Sequence, residues 1–480
     1  MTNTQQPPPI LIAPIMPLFF KMALPIIFGL LINGLFNFVD ALFITWAVGT
    51  DAIGGVSAAF PIQMIMISIS AMLGSGMASV ISRCLGASQQ SGKDTEASKV
   101  FSASLFFAAL VGLFLSLVIV LFRVEIFNAM QLPTALIPYA IDYLTPIAAI
   151  GIISFCHGTL SEVLRAQGLN VLVFKLMASM ALMNIALDAL FLFVFGWGVS
   201  GAAWATAISI TFAFLFAVYL FRKHDHRIYF SLAHFRLIPH LHKTIMALGM
   251  PVFLSYTGFA VMLLAVNIAL VHVAGNDAQL LISAHGILNR VFMLVFLPVL
   301  GMMIAFQTIA GFNYGAQLQP RVIAVLHIAL VVSTVYALLW SIIMVGVPEY
   351  IFQIFSDDTA LVQTAADISR IVFLAFITAG VAMICPALFQ AIGMAIPAIV
   401  LNALHTYFLL LPALGFIAYI HTFSHSFMHF FSISTVLNKQ LITLGTDGIW
   451  WLFPLTDVLA TILVATYTWF FINRFKIDLK

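Results

Sequence analysis

The chain has 480 residues, of which 63% are apolar and only 8% are Asp, Glu, Lys or Arg, with a formal net charge of +2 and a mean hydropathy of +1.12. Soluble domains carry about 25% charged residues, so this composition excludes a water-soluble enzyme and a basic nucleic-acid-binding domain, and it predicts a polytopic membrane protein. Cys84, Cys156 and Cys385 stand singly without metal-ligand spacing, which implies no disulfide framework. The polar, proline-rich start, Met1 to Pro9, leads into an apolar span too long for a signal-peptide core, so no removable leader is expected.

Apolar runs separated by polar or glycine-rich breaks predict twelve spans, near 22–47, 56–82, 99–121, 136–156, 174–195, 200–221, 246–273, 281–311, 322–346, 364–386, 395–419 and 449–472. Nothing in the pattern suggests the short alternating strands of a membrane barrel, so the expectation is an all-α bundle in the lipid bilayer. The first span carries a carboxylate, Asp40, with Asn33 and Asn37 at i−7 and i−3 on the same helical face. An ionised carboxylate at bilayer depth is expensive, which makes Asp40 a functional candidate by default. Span five repeats the theme with Asn184 and Asp188 at i, i+4, and span six adds Thr206; all lie in the outer half of their spans. Two carboxylates sharing an amide and a hydroxyl in a low-dielectric setting suit a proton or a small monovalent cation. Tyr143, beside Asp142, is within reach of this cluster, although a single Tyr near an interface ordinarily belongs to the aromatic belt. Asp142, Asp367 and Asp457 are weaker candidates.

With the N-terminus inside, fifteen of the nineteen Lys and Arg fall in inner segments, so both termini are expected in the cytoplasm and the protein in the cell's inner (plasma) membrane. An internal repeat runs through the chain. Thr134, Asp142 and Gly168 recur as Thr359, Asp367 and Gly393, each displaced by 225 positions, and Pro25 recurs as Pro251. Six spans are followed by six more in the same orientation, a parallel repeat that creates a cleft between halves. The organisation is a six-helix lobe over 1–221, a basic connector over 222–244 read as a solvated linker, and a second lobe over 245–480. The second half lacks the paired acids; Asn267 and Asn402 stand nearest their repeat positions. Gly198, Gly201 and Trp204 match Gly445, Gly448 and Trp451 at an offset of 247, which marks an insertion near 421–444. His421, His425 and His429 within it have spacing suited to a transition metal, but no acid or Cys accompanies them, and an interfacial amphipathic segment is the favoured account.

Asn37-Phe-Val-Asp40, Ser82-Arg-Cys-Leu-Gly86-Ala87, Leu164-Arg165-Ala-Gln-Gly168, Asn184-x-x-x-Asp188, Gly198-Val-Ser-Gly201-Ala-Ala-Trp-Ala-Thr206 and Gly311-Phe-Asn-Tyr-Gly315-Ala316 occur in this order. Together they resemble the multidrug and toxic compound extrusion (MATE) family of secondary transporters. The resemblance implies twelve helices in two pseudo-symmetric six-helix lobes. It also implies a non-enzymatic antiporter that exports drug-like, often cationic and amphipathic compounds against inward H⁺ or Na⁺, without a bound cofactor, as a monomer. Asp40, Asn184, Asp188 and Thr206 match the positions of the coupling site in prokaryotic members; Asn33, Asn37 and Tyr143 are accessory polar candidates from their placement in this sequence alone. An exporter of a dedicated metabolite and a flippase for a lipid-linked substrate are the alternatives, and the flippase is disfavoured by spans almost free of Lys and Arg.

Overall fold

A computed structural model describes residues 8–88, 93–223, 227–417, 419 and 435–477, and among these it is helical throughout, without a strand. Eleven of the described helices are long and apolar enough to cross a membrane, and a bent pair, Ile137–Ala149 and Gly151–Ala166, supplies a twelfth span. The spans run past the expected limits because polar helix ends continue the backbone hydrogen-bond ladder beyond the apolar windows. Span two extends over Thr50–Ala87 and span eight over Ala278–Gly315. The insertion near 421–444, with His421, His425 and His429, lies outside the described residues apart from the backbone of 435–444.

The helices that carry the argument are α1 (Ile15–Val48), α2 (Thr50–Ala87), α3 (Thr95–Leu121), α4 (Ile137–Ala149), α5 (Gly151–Ala166), α6 (Asn170–Asp188) and α7 (Gly198–Lys223). In the second half they are α8 (Pro239–Val273), α9 (Ala278–Gly315), α10 (Gln319–Gly346), α11 (Thr359–Val372), α12 (Ala379–Ile392), α13 (Ala395–Ala403) and α14 (Thr435–Ile477). Asp94 starts α3 by accepting the Ala97 amide at 2.9 Å, and Asp358 starts α11 by accepting the Ala360 amide at 2.9 Å, as N-caps do.

The repeat read from the sequence recurs in the backbone. Short helices stand at Arg123–Ala129 and Pro348–Phe352. Gly168 and Gly393, the repeat pair 225 positions apart, close their helices at φ +79° and +91°, a left-handed conformation that glycine alone adopts without strain. π-helical segments follow in both halves, Ala189–Val194 after α6 and Leu404–Leu410 after α13.

The chain packs as two compact units. One comprises Met1–Phe253 with Ile304–Val325 and Leu388–Ile396; the other comprises Leu254–Met303, Leu326–Ala387 and Pro397–Lys480. Inside the first unit, α2 lies against the start of α8 and the end of α9 at glycine crossings. A Cβ on Gly76 would strike the Ile245 carbonyl, and one on Gly249 the Met72 carbonyl. Likewise Gly86 faces the Phe312 carbonyl and Gly315 that of Arg83. Small residues let membrane helices approach backbone to backbone where no hydrophobic force drives them together. Gln390, 2% exposed, fastens the same region, donating to the Leu248 carbonyl and to Ser75 Oγ at 2.7 Å each, while Ser79 Oγ donates to the Gln390 carbonyl at 2.5 Å.

The inner-segment arginines close helix C-termini. Arg227 donates to the Leu85 carbonyl at 2.9 Å, Arg83 to the Ala391 carbonyl at 3.3 Å, and Arg321 to the Ala13 carbonyl at 2.8 Å. Cations favour these ends because the last carbonyls lack helical partners. The connector departs from the solvated linker expected of it. The amides of Tyr229 and Ser231 donate to Ser98 Oγ and Ser102 Oγ at 3.0 and 2.9 Å, and the Asp94 amide donates to the Arg227 carbonyl at 2.8 Å. Two serines one turn apart on α3 supply the acceptors that hold the strap down.

Candidate functional site

The bend in span four builds one wall of the site. Gly151 abuts the backbone of Gly112, and Ser116 Oγ donates to the Ala148 carbonyl at 2.6 Å where the helix breaks. The two pieces meet at 57°, a kink attributable to glycine packing and an inserted side-chain hydroxyl, with Pro146 in the last turn before it. The outer piece, α4, thereby presents Tyr143 to α1.

Tyr143, 6% exposed, donates its hydroxyl to Asp40 Oδ2 at 3.5 Å. It is therefore a member of the cluster, not of an interfacial belt. Asp40 on α1 and Asp188 at the end of α6 lie within hydrogen-bonding reach of each other, and both are buried, at 8% and 0% exposure. Asn184, one turn below Asp188, holds Thr206 of α7 through an Nδ2 to Oγ1 contact at 3.2 Å. With its amide turned over, Asn184 donates to Asp188 Oδ2 at 3.0 Å and accepts from the Thr206 hydroxyl and backbone amide, which satisfies all three groups and is the chemically consistent orientation. α6 then passes into the π-helical turn Ala189–Val194 directly after Asp188; such turns recur at functional sites because they widen the helix and re-aim side chains.

Asp40, Tyr143, Asn184, Asp188 and Thr206 thus converge from four helices. Asn33 lies half-buried on α1, and the side chain of Asn37 is outside the described residues. The side chain of Gln63 of α2 stands close to the Tyr143 hydroxyl, so it belongs to the set, and it went unnoticed in the sequence. The signal for it was a lone amide inside an apolar run, Pro61-Ile-Gln63-Met64.

The site's chemistry follows from its acceptors. Oδ1 of Asp40 and Oδ1 of Asp188 are buried with no hydrogen-bond partner among the described residues. Unpartnered buried oxygens are costly, and two on facing carboxyls form a receptor for a species that is small and positive. A single proton bridging the pair, or a monovalent cation ligated by both with the Thr206 and Tyr143 hydroxyls nearby, satisfies them. Among the described residues no group of three or more His, Cys, Asp or Glu is disposed to hold a transition metal.

The sequence profile of the MatE family matches residues 25–190 and again 251–416. The chain belongs to the MatE family. The two matches cover both halves, in agreement with the internal repeat. The multidrug export protein MepA of Staphylococcus haemolyticus is 24% identical over 378 residues, covering 77% of this chain and 80% of that one. A MATE protein solved in the straight conformation superposes with a TM-score of 0.85 at 23% identity, covering 98% of each chain. A transporter of the wider superfamily from Pyrococcus furiosus, described as having a binding pocket of reverse polarity that suggests a different function, superposes at 0.84 with 23% identity and 98% coverage of each chain. The MatE fold of twelve spans in two repeated halves is thereby established, and with it a multi-pass membrane protein.

The second half of this MatE chain carries its own polar contacts. Ser255 donates to Asn402 Oδ1 at 3.1 Å, and Thr257 shares a 2.8 Å hydrogen bond with Tyr407. Asn267 meets His285 at 3.4 Å, and Asn289 meets the other nitrogen of His285 at 3.0 Å. Asp367, 62% exposed at its side chain, pairs with Arg370 at 2.9 Å.

Proposed function

We propose that this MatE protein exports drug-like, cationic amphipathic compounds in exchange for H⁺ or Na⁺, and that Asp40 and Asp188 bind the coupling ion. The observation that carries this is the facing pair of buried carboxyls, each with one unpartnered oxygen. Asn184, Thr206 and Tyr143 complete the shell, and Gln63 positions Tyr143. The naming of MepA as a multidrug exporter supports the substrate class.

Ion binding cancels the charge of the pair, and the balance of forces on α1 changes with it. Pro25 removes one rung from the α1 ladder, and Gly29 packs against the Met177 side chain, so the helix bends most readily in this region. Alternating access then requires the glycine crossings of α2 with α8 and α9 to part. The exporter needs no cofactor and no covalent step. Both termini lie in the cytoplasm, as the arginines gathered at one face support, with the chain acting as a monomer in the plasma membrane.

The test reconstitutes the wild-type chain and Asp40→Asn in liposomes and follows a fluorescent organic cation under separate proton and sodium gradients. Transport driven by one gradient and lost in Asp40→Asn is the expected result. Normal export by Asp40→Asn would refute the coupling assignment. An absence of cation movement under either gradient would turn the reading towards a dedicated or lipid-linked substrate.

A further inference from the structure

We infer that His405 and Asp457 form a proton-binding site in the second half of the chain, built across the joint between the helices of spans eleven and twelve. Nε2 of His405 lies 3.0 Å from Oδ1 of Asp457. Thr456 Oγ1 is 3.4 Å from the same nitrogen, and Thr406 Oγ1 is 3.4 Å from Nδ1. Both partners are within apolar spans, where they keep 26% and 31% of their side-chain surface.

The pair has a counterpart across the repeat. The offset of 225 carries Asn184 onto Leu409, and the offset of 247 carries Thr206 onto Phe453. His405 precedes Leu409 by one helical turn and Asp457 follows Phe453 by one, so both are displaced the same way, away from the connection between the two helices. The first half joins spans five and six with an amide and a hydroxyl; the second half joins eleven and twelve with an imidazole and a carboxylate. In each half the joint borders a π-helical segment, Ala189–Val194 in one and Leu404–Leu410 in the other. The recurrence marks a structural position at which both halves place polar chemistry.

Charge decides what the second joint does. With a neutral imidazole the pair carries a net charge of −1, and uptake of one proton makes it an electrically neutral imidazolium–carboxylate pair, the state a low-dielectric span tolerates. His285 differs. One of its nitrogens faces Asn267 Oδ1 and the other accepts from the Asn289 amide, so a neutral ring satisfies both partners and a second ring proton has no acceptor.

Among the described residues, the other ionisable groups on the surrounding helices do not compete for His405. Tyr407, its neighbour, is taken up by Thr257 and the Leu254 carbonyl. Arg370 and Asp367 of α11 are paired, the arginine also with Glu349. His272 of α8 bonds the Ile268 carbonyl, and Arg290 of α9 and His327 of α10 are exposed. On α14 itself, Asp447 and Arg474 are roughly 15 and 25 Å from Asp457 along the axis at 1.5 Å per residue.

The inference adds a second site to the exporter reading and is tested apart from it. Infrared difference spectra between about pH 8 and about pH 5.5 are recorded on the full chain in lipid nanodiscs without substrate. Subtracting the His405→Gln difference spectrum from that of the wild type, which cancels the other histidines, is expected to leave an imidazole and imidazolium band pair; the same subtraction leaves a smaller pair in the Asp457→Asn background, which lacks the countercharge, and an unchanged one in the Asp40→Asn background. Difference spectra of His405→Gln equal to those of the wild type would overturn the inference, whatever transport shows. In proteoliposomes, the protons moved per tetraphenylphosphonium ion should then fall by one in His405→Gln. An unchanged ratio would overturn the part played by this site in the cycle. Failure of the wild type to move tetraphenylphosphonium would count against the exporter reading alone, since the spectra still decide whether the pair binds a proton.

Discussion

Gly76→Ala tests whether the glycine crossings set the conformational equilibrium. A methyl at Gly76 would overlap the Ile245 carbonyl and press on the Gly249 amide, both backbone atoms that no rotamer change can move. Overpacking of this kind costs about 1–3 kcal/mol, charged only to the state in which α2 and α8 touch. At about 1.4 kcal/mol per tenfold, the closed arrangement loses roughly a factor of 5 to 150 against arrangements in which the helices have parted. Cys84, half-buried near the end of α2, reports that parting. In a chain with Cys156 and Cys385 replaced by Ser, the rate at which a membrane-impermeant maleimide labels Cys84 should rise by that factor in Gly76→Ala. Gly346→Ala, where a Cβ meets nothing within 4 Å, should label like its parent. Equal rates for Gly76→Ala and its parent, in protein of unchanged melting temperature, would refute the argument that backbone contact at this crossing holds the closed arrangement.

Tyr143→Phe removes the 3.5 Å hydrogen bond to the Asp40 carboxyl, a long contact worth about 1 kcal/mol, so gradient-driven export should weaken by about fivefold while the protein still folds; transport assays at matched expression check this. Asp40→Asn and Asp188→Asn should be non-additive, the double variant exporting about as poorly as either single one, because facing carboxyls that bind one ion act as a unit. Ser98→Ala combined with Ser102→Ala strips two acceptors from the connector, about 1 kcal/mol each, and trypsin should cleave after Arg227 or Arg236 on the order of tenfold faster. Glu349 lies outside the spans, and its own backbone amide and Arg370 hold its carboxyl below the usual range. The stabilisation is therefore present at neutral pH and lost as pH falls through the depressed value, so Glu349→Gln should lower the melting temperature slightly at pH 7 and not at all in strong acid.

The span count, the repeat and the cluster of Asp40, Asn184, Asp188 and Thr206 were legible because each rests on a strong local signal. Twenty apolar residues must be helical in lipid, a carboxylate among them is conspicuous, and a shared offset needs no geometry. Tyr143 was ambiguous for a physical reason. The belt and the cluster both favour an aromatic with a polar tip near the span end, and only the 57° bend in span four, caused by Gly151 and Ser116, turns it inward. Gln63 showed only as a lone amide in an apolar run, and neither its partner nor those of the strap residues Tyr229 and Ser231 could be read, because these partners stand far away in sequence. The pairing of His405 with Asp457 was hidden likewise. Asp457 is a single acid and His405 the first of a histidine series, and 52 positions separate them.

The two halves divide their polar inventory in a way that bears on coupling. The second half has no acid at the positions that repeat Asp40 and Asp188; the amides nearest them, Asn267 and Asn402, form hydrogen bonds but carry no charge. Its ionisable groups have moved to the adjoining joint, where they arrive as an acid and a base instead of two acids. Two facing carboxyls are neutralised by one or two positive charges, and Na⁺ serves as well as H⁺. A carboxylate beside an imidazole offers a metal cation one acceptor and a competing donor, whereas it offers a proton a ring nitrogen with a countercharge 3.0 Å away. If both sites operate, the first half sets the choice between sodium and proton, and the second responds to protons alone. Export should then retain a pH dependence even where sodium drives it, and that dependence should vanish with His405→Gln.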